Sequence, residues 1–557
     1  MRTAPDAGTW RARRYAWQAA AGLLLSSAMA LAACNTGPAT PNCQVNGVTV
    51  AANPTSITAG AISNLSATLN ANASCNTALT WTATPAGGAL TPSGATATFT
   101  SATPGAYTIR ATSVADNTKN GEATVTVTAP AVTCGQPNGT TVTHNANIAA
   151  SETWLGDGVT HLVPTSISIT GTAVVTVDPC AIVALGPGVT ITVRDNARLV
   201  AAGTGANRFV LFRRNNASQA WGSLRAFHPT SLIDLTWTRL EGGGAYGSLN
   251  NPTLIGYGIG YGSPPSQVLR TVNVTIQGSM GIGVFLDANG GFTNDSQQLT
   301  ITGAGDRPVH TNMMALGSLP TGTYTGNAND EILITGPGAN IFMDMTVDDP
   351  GVPIRIPFSN MYVGPVAPAT APVTLTLAPG VIFRFPRIGG GQPGARMTFG
   401  TNGNAPNNLV GVLNAVGTAA KPIVFTSGEA TPAPGDWIGI WLNTANGSRL
   451  DYVEISYAGA PTGIQSNNCR PLNTADYAAL FVGSFSAQYV PTSTTLTNSK
   501  IIHSAGFAID AMWLAPTLNE PDLTPGNTFQ NNARCRQTYN GLLPPGTCPL
   551  SGGCTAN

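Results

Sequence analysis

Few residues in this chain are of a kind that does chemistry, and their spacing decides what they could do. Five histidines, His144, His161, His228, His310 and His503, are scattered with no acid or nucleophile at a useful interval. Each reads as a satisfied turn or ladder residue. Asp348 and Asp349 are adjacent in TVDDPG. Glycoside hydrolysis needs two carboxylates held across one sugar bond. Neighbours on a strand point to opposite faces, so only one of this pair could reach a groove. No G-x-S-x-G elbow, H-E-x-x-H helix or G-x-x-x-x-G-K-[ST] phosphate loop occurs. The binding candidates are aromatic. Residues 242–265, GGGAYGSLNNPTLIGYGIGYGSPP, form a Gly-rich excursion carrying Tyr246, Tyr257 and Tyr261. Aromatic faces beside hydroxyl-rich surface suit sugar rings. The alternative is that these tyrosines pack the loop onto the body of the protein.

The cysteines point to export. Arg2, Arg11, Arg13 and Arg14 form a positive region, followed by an apolar stretch from Ala19 to Ala33 that is short for a membrane span. It ends in Leu31-Ala32-Ala33-Cys34, which resembles the bacterial lipobox. That resemblance implies a signal peptide over 1–33, a lipidated Cys34 and a polar tether over 34–43. The chain has nine cysteines, so setting Cys34 aside leaves an even number, as a disulfide-bonded exported chain should have. Local spacing suggests Cys43–Cys75, Cys134–Cys180, and two bonds among Cys469, Cys535, Cys548 and Cys554. No CxxC pair is present and the histidines lie far away, so no metal site is expected.

The 557 residues carry only 9% charged side chains and no net charge. No basic field exists to hold nucleic acid, and membrane contact is expected through the lipid anchor alone. The 64 Gly and 41 Pro, with abundant Thr, Ser and Asn, suit many short strands joined by turns. Over 44–130 the runs NLSATL, LTWTA, ATATFT, AYTIRATS and EATVTVT alternate with period two. Trp81 sits early, where a sandwich buries its central Trp, and Tyr107 opens AYTIRATS as the tyrosine of an immunoglobulin-like corner does. This segment resembles bacterial immunoglobulin-like repeats. Residues 116–121 read as a hairpin turn, since Lys119 sits inside what would otherwise be a calcium loop.

From 134 to 530 internal repetition dominates. The run Leu199-Val-Ala-Ala-Gly-Thr-Gly-Ala-Asn-Arg-Phe-Val-Leu-Phe matches Leu413-Asn-Ala-Val-Gly-Thr-Ala-Ala-Lys-Pro-Ile-Val-Phe-Thr. Each follows an L-x-P-G-V unit, Leu185–Val189 and Leu377–Val381, and each precedes a Trp, Trp221 and Trp437. Ser231 and Asp234 correspond to Ser448 and Asp451; Asn273, Ser279 and Gly281 correspond to Asn498, Ser504 and Gly506. One unit thus reads as duplicated, about 178–290 and 370–515, with an extra stretch between Val381 and Leu413. No segment can bury its apolar face alone, so the segments are expected to stack as coils about 4.8 Å apart around a dry column. At roughly 25 residues per coil, about 10 to 15 coils fit. Residues 531–557 read as a Cys-rich cap over the last coil.

The series LGPGVTITV, LVAAGTGANRFVLF and LIDLTWTRLEGGG, with its second copy, is similar to the right-handed parallel β-helix repeats of bacterial surface proteins. The resemblance implies an all-β chain: an immunoglobulin-like sandwich, then a long right-handed parallel β-helix. It implies a protein exported to the envelope's outer surface, serving adhesion, envelope structure or contact with envelope or extracellular polysaccharide. No catalytic residue and no cofactor is expected. The runner-up is a polysaccharide lyase or glycoside hydrolase of the pectin-lyase-like type. Arg384-Phe-Pro-Arg387 is similar in part to the arginine motif of pectate lyases, but the second Arg is misplaced and no Asp cluster accompanies it. The Asn-Thr-Asp, Gly-His-Gly and Arg-Ile-Lys motifs of the related hydrolases are absent. Acidic residues converging with Arg or Lys in one groove would favour the enzyme. Ladders of Thr, Asn and Ser alone would exclude it.

Overall fold

Period-two alternation leaves every strand with one apolar face to bury, and the chain buries these faces in two separate units, Met1–Ala131 and Val132–Asn557. A computed structural model describes residues 42–129, 133–134, 137–247, 250–336, 339–357, 360–366, 371–387, 395–400, 409–443, 447–461, 478–513 except 485–492, and 522–537. The expected signal segment, Cys34, Cys469, Cys548 and Cys554 lie outside the described residues.

The first unit holds two four-stranded sheets. One orders Val45–Asn53, Ser63–Ala71, Thr96–Ser101 and Gly88–Ser93, all antiparallel. The other orders Ser56–Thr58, Asn120–Thr128, Gly105–Ser113 and Leu79–Thr84, with only the first pair parallel. Leu65 and Phe99 from the first sheet share one apolar cluster with Trp81, Tyr107, Ile109 and Val125 from the second. Polar tips within it are satisfied, as burial requires. The Trp81 indole donates to Gly94 O at 3.1 Å, and Tyr107 Oη donates to Thr103 O at 3.0 Å. The Asp116 carboxylate is taken by the backbone and hydroxyl of Thr118, within the turn joining Gly105–Ser113 to Asn120–Thr128. Cys43 is bonded to Cys75.

The second unit is a parallel β-helix. Every named strand pair in it is parallel, and its thirteen-stranded sheet gains one strand from each successive coil, from Ile167–Ile169 to Thr528–Gln530. The strands between these, in chain order, lie in a twelve-stranded sheet over the first coils and in six- and five-stranded sheets over the later ones. Parallel strands need such crossovers, and here the crossovers are themselves strands. In the long sheet Ile191, Leu224, Leu254, Val284, Val309, Ile332, Ile354, Phe383, Phe425, Ile455 and Ile501 are successive register partners. All of them are fully buried in one continuous cluster that runs from Ile148 to Leu523. Each such side chain contributes about 1.5–3 kcal/mol of burial. Cys134 is bonded to Cys180, and Cys535 is disulfide-bonded. Residues 534–536 run beside the strand Phe507–Trp513, taking its N–H groups at Ala508 and Ile509.

The two similar stretches have a common local structure but different places in the sheets. Trp221 and Trp437 are both fully buried, and each indole donates at 2.9 Å to the last carbonyl of a later strand, Glu241 O of Leu232–Glu241 and Ser456 O of Val453–Ser456. Sharp corners follow the strands Arg198–Ala202 and Gly411–Val416. In the next two coils each corner is a residue with positive φ: Trp237 (42°) then Asn273 (56°), and Tyr452 (49°) then Asn498 (49°). Yet Val210–Arg214 belongs to the twelve-stranded sheet, whereas its counterpart Ile423–Ser427 belongs to the long sheet. Leu224–Ala226 lies in the long sheet, and its counterpart Gly439–Leu442 in the six-stranded one. The second copy is therefore displaced by one sheet around the coil. The two L-x-P-G-V turns do not share this relation. One strand, Ile191–Val193, separates Val189 from the strand at Leu199, but two, Ile382–Phe385 and Arg396–Phe399, separate Val381 from the strand at Leu413. The extra stretch is thus one more side of the coil.

Candidate functional site

Stacking in register turns one outward position per coil into a row. On the outer face of the long sheet the row reads Thr192, Arg225, Ile255, Phe285, His310, Leu333, Arg355, Arg384, Thr426. It is not a ladder of hydroxyls and amides. It divides into an aromatic half and a charged half.

In the aromatic half, Ile255, Ile282 and Phe285 form an apolar cluster separate from the interior column, with Tyr246 and Tyr257 packed on it. The Arg225 guanidinium sits 4.6 Å from the Tyr246 ring centre, 4.8 Å from Phe227 and 5.6 Å from Tyr257. Arg194 covers Phe227 at 4.8 Å. Such contacts are worth about 0.5–2 kcal/mol each. They also occupy ring faces that a sugar would use. Burial pushes the Tyr257 hydroxyl above its usual range. Tyr261 makes different contacts: its hydroxyl donates to Asp287 and its ring lies over Gly336. Burial first, and then Asp287, pushes it up to about 12. Of the three tyrosines singled out from the sequence, the structure brings Tyr246 and Tyr257 together around Arg225 and gives Tyr261 other partners.

In the charged half, four consecutive coils deliver Asp306 and Arg307, Glu331, Arg355, and Arg384. Arg384 Nη1 donates to Glu331 Oε1 at 2.8 Å; Arg307 Nη2 and Arg355 Nη1 lie 3.6 and 4.0 Å from Glu331 Oε2. Arg307 Nη1 donates to Asp306 at 3.0 Å, as does Asn329 Nδ2. Arg355 Nη1 donates to Gly428 O at 2.8 Å. His310, 1% exposed, stands 3.5 Å from Asp306, and neither ring nitrogen has a hydrogen-bond partner. Burial pushes it down to about 4, with Asp306 opposing and Arg307 reinforcing the shift. Arg307 Nε is likewise buried and unpartnered.

In the sequence Arg384 stands out only beside Arg387, whereas its partner Glu331 comes from another coil. The adjacent acidic pair that matters is Asp330–Glu331. Asp330 caps a loop by accepting from Gly326 N and Asn327 N, and Glu331 joins the cluster. Asp349 instead pairs with Lys421 at 3.2 Å. Arg387 diverges from Arg384 and clamps buried Asp436, which also accepts from Ser427 Oγ at 2.6 Å. The available signal was spacing: charges recurring about one coil apart in a chain that has few. Elsewhere, His144 Nε2 and His161 Nδ1 lie 3.0 Å apart against Trp154. Burial holds both below the usual histidine range. His228 bonds Thr230, and His503 stacks on Tyr457. Among the described residues no group of three or more His, Cys, Asp or Glu is arranged to hold a metal.

No known protein family, curated protein or solved structure matches this chain. The parallel β-helix follows from the strand pairing of the chain itself.

Proposed function

We propose that the chain is an exported, lipid-anchored envelope protein in which an immunoglobulin-like sandwich precedes a right-handed β-helix that contacts polysaccharide. Its role is then adhesion or envelope architecture. The observation that carries this reading is the row along one outer face, where aromatic rings and guanidinia from successive coils gather on a chain otherwise poor in charge. An extended polymer lying along the coil axis would run past the half-exposed groups of that face, Tyr246 and Tyr257 over the buried Ile255 and Phe285, then Arg355 and Arg384. The immunoglobulin-like reading of the first unit is supported by the Tyr107 hydroxyl bonding back to Thr103 O, four residues upstream, and by buried Trp81. Lipidation at Cys34 and display on the outer surface are supported by the sequence pattern and by two disulfides, which belong to oxidising compartments.

A second reading, polysaccharide cleavage, is favoured by one observation: Asp306 and Glu331 converge with three arginines on that face. Against it, each carboxylate already accepts hydrogen bonds from arginine or asparagine. One experiment separates the two. The mature chain is incubated with the exporting bacterium's envelope polysaccharide, and retention is scored beside release of reducing ends or unsaturated sugars. Retention without release supports the binding role, and release supports the enzyme. Absence of both refutes contact with the envelope's own polysaccharide. Lipid labelling of the precursor, lost on Cys34→Ala, checks the anchor.

A further inference from the structure

Resting on the polysaccharide reading, we propose that the Glu331 cluster is a binding site for the anionic groups of an acidic glycan, carboxylates or sulfates carried on successive sugars. Three guanidinia, Arg307, Arg355 and Arg384, face two carboxylates, Asp306 and Glu331, and neutral His310 adds no charge. Within this set of five charged side chains one positive charge is left over, with Asp330 and Glu429 engaged by backbone N–H groups of Gly326, Asn327 and Arg387 beside it.

The donors are also in excess. A guanidinium offers five N–H groups. Among the described residues Arg384 forms a hydrogen bond only through Nη1, to Glu331, and Arg355 only through Nη1, to Gly428 O. Their other N–H groups have no protein hydrogen-bond partner among the described residues, and both side chains are partly exposed. Arg307 Nε and both nitrogens of His310 are buried without hydrogen-bond partners, so they belong to the floor of the patch and the donors within a polymer's reach are those of Arg355 and Arg384. Arg355 and Arg384 are register partners on neighbouring strands, about 4.8 Å apart. That geometry allows two guanidinia to grip one anionic group or two in succession. Glu331 holds the arginines in place before any ligand arrives, which lowers the ordering cost of binding. A neutral glycan offers hydroxyls but nothing to balance the surplus charge. Bidentate guanidinium–oxyanion pairing provides that balance.

The test uses the full mature chain with four polymers: alginate, carboxyl-reduced alginate, dextran sulfate and neutral dextran. Alginate or dextran sulfate should be retained, and carboxyl-reduced alginate and dextran should not. Arg355→Gln and Arg384→Gln should each weaken retention about tenfold, as loss of a charged hydrogen bond predicts. Arg384→Lys should keep part of it, and Arg110→Gln in the first unit should change nothing. Thermal melting of each variant shows that the fold is intact. Retention should fall as salt rises from 0.05 to 0.5 M. Retention of carboxyl-reduced alginate as strong as that of alginate, or of dextran as strong as that of dextran sulfate, overturns the proposal while leaving glycan contact standing. So does retention that survives both Gln variants. Retention of none of the four polymers overturns the proposal, and failure on envelope polysaccharide as well removes the reading beneath it.

Discussion

Adding one methyl group at Gly203 tests whether the coils stack as described. Gly203 follows the strand Arg198–Ala202, and the next coil crosses it at the corner residue Trp237, whose left-handed backbone turns its carbonyl toward the glycine. A Cβ at Gly203 would stand 2.2 Å from Trp237 O, 2.7 Å from Thr236 O and 2.8 Å from Trp237 Cβ. Two of these are backbone atoms held by parallel pairing on both sides, so they cannot swing away as a side-chain end could. Relief requires neighbouring coils to part at this corner. Overpacking of this kind costs about 1–3 kcal/mol, occasionally more. Two residues on, Gly205 has nothing within 4 Å of its Cβ. Gly205→Ala should be neutral, or stabilising by up to about 1 kcal/mol through the unfolded chain. Urea unfolding of Gly203→Ala, Gly205→Ala and the parent measures the contrast. Gly417, whose Cβ would lie 2.7 Å from Tyr452 O, should behave as Gly203 does. If Gly203→Ala unfolds at the same urea concentration as Gly205→Ala, the corner stacking is wrong, and with it the alignment of the two similar stretches.

Two further outcomes follow from the buried groups. His310 is held neutral down to about pH 4, whereas in the unfolded chain it titrates near 6.5. Its contribution is present above about pH 6.5 and is lost as pH falls, because only the unfolded state takes up the proton. Unfolding free energy should drop by about 2 kcal/mol between pH 7.5 and 5 on this account, and His310→Gln should flatten that share of the slope. An unchanged slope in the variant refutes the assignment. Breaking the Cys134–Cys180 bond with paired Ser substitutions releases a loop of 46 residues. Loop-closure entropy puts the cost at about 4 kcal/mol. A double variant that melts with the parent would show the bond to be idle.

The sequence by itself determined the class of structure. Strands of period two, Gly and Asn at turns, and matching stretches with conspicuous Trp residues leave little but stacked β-coils, because no segment can bury its apolar face alone. Inward positions such as Leu199, Leu413, Phe383 and Phe425 are legible because burial acts on each strand locally. Only the tertiary structure decided which residues meet across coils. Arg384 and Glu331 are 53 residues apart in the chain, and Arg355 reaches a carbonyl 73 residues on. Coil length varies with its loops, so spacing along the chain does not set the register, and one additional strand, Arg396–Phe399, is enough to move a repeated sequence onto the next sheet. Polar side chains on an outer face are constrained only by neighbours in adjacent coils. Their pairing is a property of stacking, and sequence-local rules do not contain it.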